Sequence, residues 1–190
     1  MQVEITGQTV VLDDIVSVAD LKAYMRVTHT AEDTLISALR LAAIAYIEEH
    51  CNIKLGTYNM RGYLPGFYNA YFPMGPVQAV TEVKYQTTED KTYSNLTTLA
   101  TTNWYTDLIS QPSRIAFRDS PNTYEYALTP VVITFSAGYT TAPTPVVHAI
   151  KLLVSTMYEN RQEEVTGSIT TRLKFGLDAL LNPFRIIYQP

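Results

Sequence analysis

A cysteine beside a histidine is the first pairing in this chain with the makings of chemistry. Cys51 follows His50 directly, and a second histidine, His148, lies far along the sequence. A nucleophilic Cys/His pair needs a thiolate, a base within hydrogen-bond reach and a third group that orients the base. Neighbours at the end of a helix seldom meet that geometry, so an inert, partly buried cysteine is the expected state. His29 reads as a loop residue, and scattered histidines without an i, i+4 pair make a poor zinc site. Glu159, Glu163 and Glu164 gather near Arg161, where paired acids could serve acid–base chemistry or hold a cation. No second acidic cluster or phosphate-binding loop accompanies them, which favours a solvated helix end. The expectation is therefore no catalytic residue, no metal site and no cofactor.

Other groups suit binding better than catalysis. Arg172, Lys174 and Arg185 make the C-terminal region basic; they either meet an acidic neighbour or lie on an ordinary solvated tail. Phe184, Ile186, Ile187 and Tyr188 form an apolar run that either packs on its own core or docks on a partner. From these groups Arg172, Lys174, Phe184, Arg185, Ile187 and Tyr188 form the candidate partner-binding set. Tyr63, Phe67, Tyr68, Tyr71 and Phe72 crowd one stretch with rings. A glycan-binding face is one reading of them; core and interface packing is the favoured one.

The elements that must position these residues follow from periodicity. Val3 to Leu12 alternates loosely around Gly7-Gln8, as a small hairpin or an extended arm that pairs elsewhere. Ser17-Val18-Ala19-Asp20 has the N-cap serine and the acid three residues later that open a helix, predicted from Val18 to about Arg26. Thr30-Ala31-Glu32-Asp33 repeats the signal. Leu35, Ile36, Leu39, Ala42, Ala43, Tyr46 and Ile47 then share one apolar helical face, with Asp33, Arg40, Glu48 and Glu49 on polar positions and Asn52 as the stop. Between Leu55 and Tyr139 the pattern becomes strand-like: Thr57–Leu64, a hairpin of Val80–Gln86 and Lys91–Leu96 across Thr87-Thr88-Glu89-Asp90, then Trp104–Leu108, Arg114–Phe117 and Val131–Phe135. These suggest an antiparallel sheet, a small sandwich or an open barrel. Thr144-Pro145 restarts a helix whose apolar face is Val146, Ile150, Leu153, Val154 and Met157. A last short helix, Leu177 to Leu181, stops at Asn182-Pro183. The fold class is thus α+β. A small helical bundle is built from residues 1–54 and 140–190, and an antiparallel β domain, residues 55–139, is inserted into it.

Composition narrows the function. With 190 residues the chain can bury a real core, and 46% hydrophobic against 17% charged residues marks a folded protein. The net charge of −4 disfavours a general DNA-binding surface, which needs a basic excess. The charge is uneven: residues 1–50 hold three Lys/Arg against eight Asp/Glu, and residues 141–190 hold five against four. Ends of differing sign could help identical subunits meet head to tail, although ordinary surface variation produces the same numbers. The one cysteine excludes an internal disulfide. Met1-Gln2-Val3-Glu4 lacks the pattern of a signal peptide and no apolar run reaches membrane-span length, so synthesis in a cytoplasm and a soluble product are expected.

An ordered set of segments carries a resemblance. Leu21-Lys22-Ala23-Tyr24-Met25-Arg26-Val27 precedes Glu32-Asp33 and the helix Leu35-Ile36 to Ile47-Glu48. Phe72-Pro73-Met74-Gly75-Pro76-Val77 leads to Val83-Lys84-Tyr85. Val131 to Tyr139 ends in Ser136-Ala137-Gly138-Tyr139, and Pro145 to Ile150, Tyr158-Glu159-Asn160-Arg161 and Leu180 to Arg185 close the series. In this order, from about residue 17 to 186, the chain resembles the head–tail connector (adaptor) proteins of tailed bacteriophages, in their longer form with a β insertion. Each motif alone is weak; order and spacing carry the likeness. The resemblance implies a non-enzymatic ring of about twelve copies docked beneath the portal protein, extending the DNA channel and seating the next head-closure or tail protein. It implies a place in the virion neck, with genomic DNA passing through but not specifically bound. A channel that lets DNA slide should not grip phosphates, so protein contacts are the favoured role of the basic C-terminal residues. The alternatives are another neck or tail part, such as a head-closure or tail-terminator protein, and a monomeric ligand- or glycan-binding module.

Overall fold

The computed structural model describes residues 1–9, 11–90, 92–160 and 176–187. The chain divides into two compact units. The helical unit comprises residues 10–56 and 139–185, and the β unit comprises residues 1–9, 57–138 and 186–190.

The helical unit is organised around α3 (Asp33–Cys51) and α4 (Thr144–Glu159), which pack on each other and on α2 (Val18–Met25). The early and late helical segments therefore form one body. A short α1 (Leu12–Ile15) precedes them, and a helical stretch over residues 176–181, α5, follows. Ser17 caps α2 in a full capping box: its Oγ accepts from the Asp20 amide at 3.0 Å, and the Asp20 carboxylate accepts from the Ser17 amide. Asn52 stops α3 by turning left-handed at φ 54°, a conformation that asparagine tolerates better than most residues. The core joins Leu21, Ile36, Ile47, Val146, Ile150 and Val154, all fully buried.

Helix α3 differs from the expected one-faced helix. Ile36, Ala43, Ile44 and Ile47 are buried, but Leu35, Ala42 and Tyr46, predicted to share their face, are exposed. Two residues placed at polar positions, Arg40 and Glu48, are the ones turned inward. Arg40 binds the Asp13 carboxylate and donates to the Val16 carbonyl at 3.0 Å. Glu48 accepts from the Leu55 amide and from Lys54 Nζ, each at 2.7 Å, so its charge is paired where it leaves water. The helix is apolar on nearly all sides, and the choice of inward face fell to these two ion-paired side chains.

The β unit holds a five-stranded antiparallel sheet in the order β1 (Gln2–Thr9), β2 (Thr57–Leu64), β8 (Val131–Ala137), β4 (Val77–Tyr85), β5 (Thr97–Thr98). A second, three-stranded sheet runs β3 (Ala70–Tyr71), β7 (Arg114–Phe117), β6 (Trp104–Asp107), also antiparallel. The central strand β8 is the most apolar: Val131, Ile133, Phe135 and Ala137 bury one face, and on the other Val132 is buried while Thr134 and Ser136 are half-buried. Gly56 and Gly138 both sit at φ 112°, where an L side chain would be strained.

Three expectations are corrected. Residues 2–9 belong to the β unit, not to the helical segment 1–54: β1 pairs with β2 from Gln2 opposite Tyr63 to Thr9 opposite Thr57. The strand does not continue to Leu12, which opens α1. The hairpin return over Lys91–Leu96 does not form among its described residues. The Asp90 carboxylate takes the amides of Thr92 at 2.9 Å and Asn95 at 2.5 Å, closing a local loop in place of a ladder. Pairing with β4 resumes only at Thr97 and Thr98.

Candidate partner-binding surfaces

Among the described residues, Cys51, His50 and His148 do not come together as a catalytic group. Cys51 is fully buried, its Sγ 4.0 Å from the Leu181 carbonyl, and burial pushes its thiol pKa up, against a weaker opposing pull from the Arg185 charge. That is the reverse of an activated thiolate. His50 stacks on Tyr46 with centroids 5.7 Å apart, whereas His148 meets Tyr24 edge-on at 6.0 Å. His29 is exposed and lies 3.8 Å from the Glu32 carboxylate. Among the described residues no group of His, Cys, Asp or Glu could hold a metal ion, and no helix is long and apolar enough to cross a membrane. Glu159 is exposed at the end of α4; Arg161, Glu163 and Glu164 lie outside the described residues.

The C-terminal set is only partly in view. Arg172, Lys174 and Tyr188 lie outside the described residues. After α5, whose Leu177 and Leu181 are buried in the helical unit, residues Asn182–Phe184 make a 3₁₀ turn. Phe184 is half-buried, Arg185 exposed, and Ile187 exposed over 67% of its surface. Ile186 between them is buried in the β unit, its Cδ1 close enough to Gly75 to leave no easy room for a side chain there. The apolar run therefore divides: Ile186 packs on the protein's own core, and Ile187 is left for solvent or a partner.

The aromatic stretch also divides. Phe72 is core, tilted against Phe135 at 4.8 Å. Phe67 packs edge-on against Tyr85 and Phe117, and Tyr63 donates from its hydroxyl to Glu4 at 2.6 Å. Burial first, then that Glu4 contact, raises the Tyr63 pKa. Tyr68 and Tyr71 remain exposed. Tyr71 joins a surface that the sequence reading missed. On the solvent face of the small sheet, Tyr71 and Tyr105 flank Ala116, with Asn69 and the Arg114–Asp107 ion pair, 3.2 Å apart, alongside; the groove encloses about 370 Å³. The signal was present in the alternation of β6 and β7, which puts Tyr105, Asp107, Arg114 and Ala116 on one face once the register is known.

A second missed surface is the outward side of α3. Leu35, Ala38, Leu41, Ala42, Ala45 and Tyr46 recur at helical spacing and are all exposed. The reading of α3 as a helix with a single apolar face hid them.

The described residues form an α+β fold with exposed side chains available for contact. The sequence from residue 15 to 111, just over half of the chain, matches the model of the phage gp6-like head-tail connector protein family. The chain belongs to that family; it is a bacteriophage structural protein and not an enzyme. Among solved structures it is similar, over 100% of its length and 98% of theirs, to chains from the neck of an empty gene transfer agent (GTA) particle computed with C6 symmetry and from the virion of the native particle, each at 22% identity and a TM-score of 0.75. A chain from the neck of the native particle computed with C12 symmetry matches over the same shares at 20% identity and a TM-score of 0.69. At these identities the likeness establishes a shared fold. No curated protein matches the sequence significantly.

Proposed function

We propose that the protein is a ring-forming head–tail connector, an adaptor in the virion neck. Copies arranged cyclically beneath the portal extend the DNA channel and seat the next head-closure or tail protein. The observation that carries this reading is end-to-end similarity in fold to chains from necks reconstructed with sixfold and twelvefold symmetry, joined to membership of a connector family. Cyclic assembly requires two different, complementary faces on each copy. A net charge of −4 suits a channel lining that repels rather than holds phosphates. The C-terminal residues Arg172, Lys174, Phe184, Arg185, Ile187 and Tyr188 are the proposed contact with the portal or the next neck protein. Assembly takes place in the host cytoplasm.

A phage lacking the gene tests the reading. Filled heads and complete tails should accumulate unjoined, and supplying the protein in trans should restore joined particles. Normal yields of tailed, infectious particles without it would contradict the proposal.

A further inference from the structure

The groove on the small sheet has a small floor, two aromatic walls and one polar end. Across the strands Tyr71 lies opposite Arg114, and Arg114 opposite Asp107; one row on, Tyr105 lies opposite Ala116. The tyrosines therefore stand at diagonal corners, two interstrand spacings or about 10 Å apart across the sheet. Ala116 between them is too short to fill the space, which encloses about 370 Å³. Tyr71 and Tyr105 are 44% and 56% exposed, so each leaves ring surface open. The polar end is built in advance. Asp107 accepts from the Ser110 amide at 3.1 Å and the Ser110 hydroxyl at 2.8 Å, and it pairs with Arg114 at 3.2 Å. Held this way, Arg114 still has N–H groups to donate and Asp107 still has lone pairs to accept; exposed Asn69 can do both.

We propose that this groove binds a neutral sugar, a pyranose unit of a polysaccharide. A pyranose ring has apolar C–H faces that pack on tyrosine rings, and a rim of hydroxyls that each donate and accept. The polar end selects it over other occupants. Arg114 and Asp107 cancel in charge, so the groove attracts neither a phosphate chain nor a cation. A wholly apolar side chain would cover the ion pair without replacing its water, which costs desolvation. A proline-rich strand also docks on aromatic-lined grooves, but its carbonyls only accept and would leave Asp107 without a donor. Hydroxyls meet Arg114, Asp107 and Asn69 alike. The site lies wholly within the β unit, so it stands or falls independently of the ring proposed above.

The test titrates the full chain, labelled with carbon-13 at its alanine methyls, with maltotriose, cellotriose and chitotriose, and with decaproline as the competing class. At least one of the sugars should shift the Ala116 methyl signal saturably, with a dissociation constant on the order of 1 mM. Tyr105→Ala should weaken that binding about ten-fold or more, and Tyr105→Phe, which keeps the ring, should preserve it. Position 105 is exposed, so both variants should melt as wild type does. Tyr126→Ala removes a tyrosine 76% exposed elsewhere on the chain and should leave the affinity unchanged. The proposal is overturned if none of the three sugars shifts Ala116, if Tyr105→Ala binds as wild type does, or if Tyr126→Ala weakens binding equally. A shift produced by decaproline and not by the sugars would also overturn it, and would assign the groove to a peptide.

Discussion

Glu48 is a carboxylate taken out of water and paired twice, to the Leu55 amide and to Lys54. Removing one partner of a buried pair strands the other, which typically costs about 3–5 kcal/mol. Glu48→Ala should therefore lower stability by about 3 kcal/mol, read as a fall in the denaturant midpoint with an unchanged slope; a change under 1 kcal/mol would mean that water reaches the site. Asp90 is different, being partly exposed and held by local hydrogen bonds. The amide of Asn95 first, then Thr92, depress its pKa from 3.8 to about 2. A depressed carboxyl stabilises the fold fully above its unfolded value. That contribution fades as pH falls from about 4 through about 2. Asp90→Asn should melt below wild type at neutral pH, and the difference should close across that window. A gap that persists unchanged at pH 2 would show that geometry, not ionisation, holds the 90–95 loop.

At the scale of elements, caps and core strands divide the stabilisation. Ser17→Ala removes the hydroxyl that caps α2 and should cost about 1 kcal/mol, measured by thermal unfolding. Asn52→Val forces a β-branched residue to φ 54° and should cost about 1–2 kcal/mol, whereas Asn52→Gly, which tolerates that φ, should cost less. If the two Asn52 variants unfold alike, the left-handed cap is not what ends α3. These were the legible parts of the sequence, since capping boxes and 3.6-residue periodicity act over a few neighbours. What could not be read is set by distant partners. β1 was assigned to the wrong unit because its ladder partner, β2, is some fifty residues on. The hairpin return failed because one carboxylate, Asp90, offered its amides a nearer acceptor than the β4 edge. The orientation of α3 was ambiguous because apolar residues ring the helix, and buried Arg40 and Glu48 decided it. The contact surfaces were least legible: the groove beside Tyr71 and Tyr105 exists only through strand register, and only part of the C-terminal set lies within the described residues.

For the whole molecule, the fold gives a helical unit drawn from residues 10–56 and 139–185 and a β unit drawn from residues 1–9, 57–138 and 186–190. A body of this kind can repeat around an axis, as the ring proposed above requires. The central claim is that many copies meet on one portal. Its most direct test is the mass of the complex formed when purified chain is added in excess to assembled portal. The account predicts a single species with as many copies of this chain as the ring symmetry demands, about twelve. Portal that emerges with no added mass, or with one or two copies bound, would contradict it.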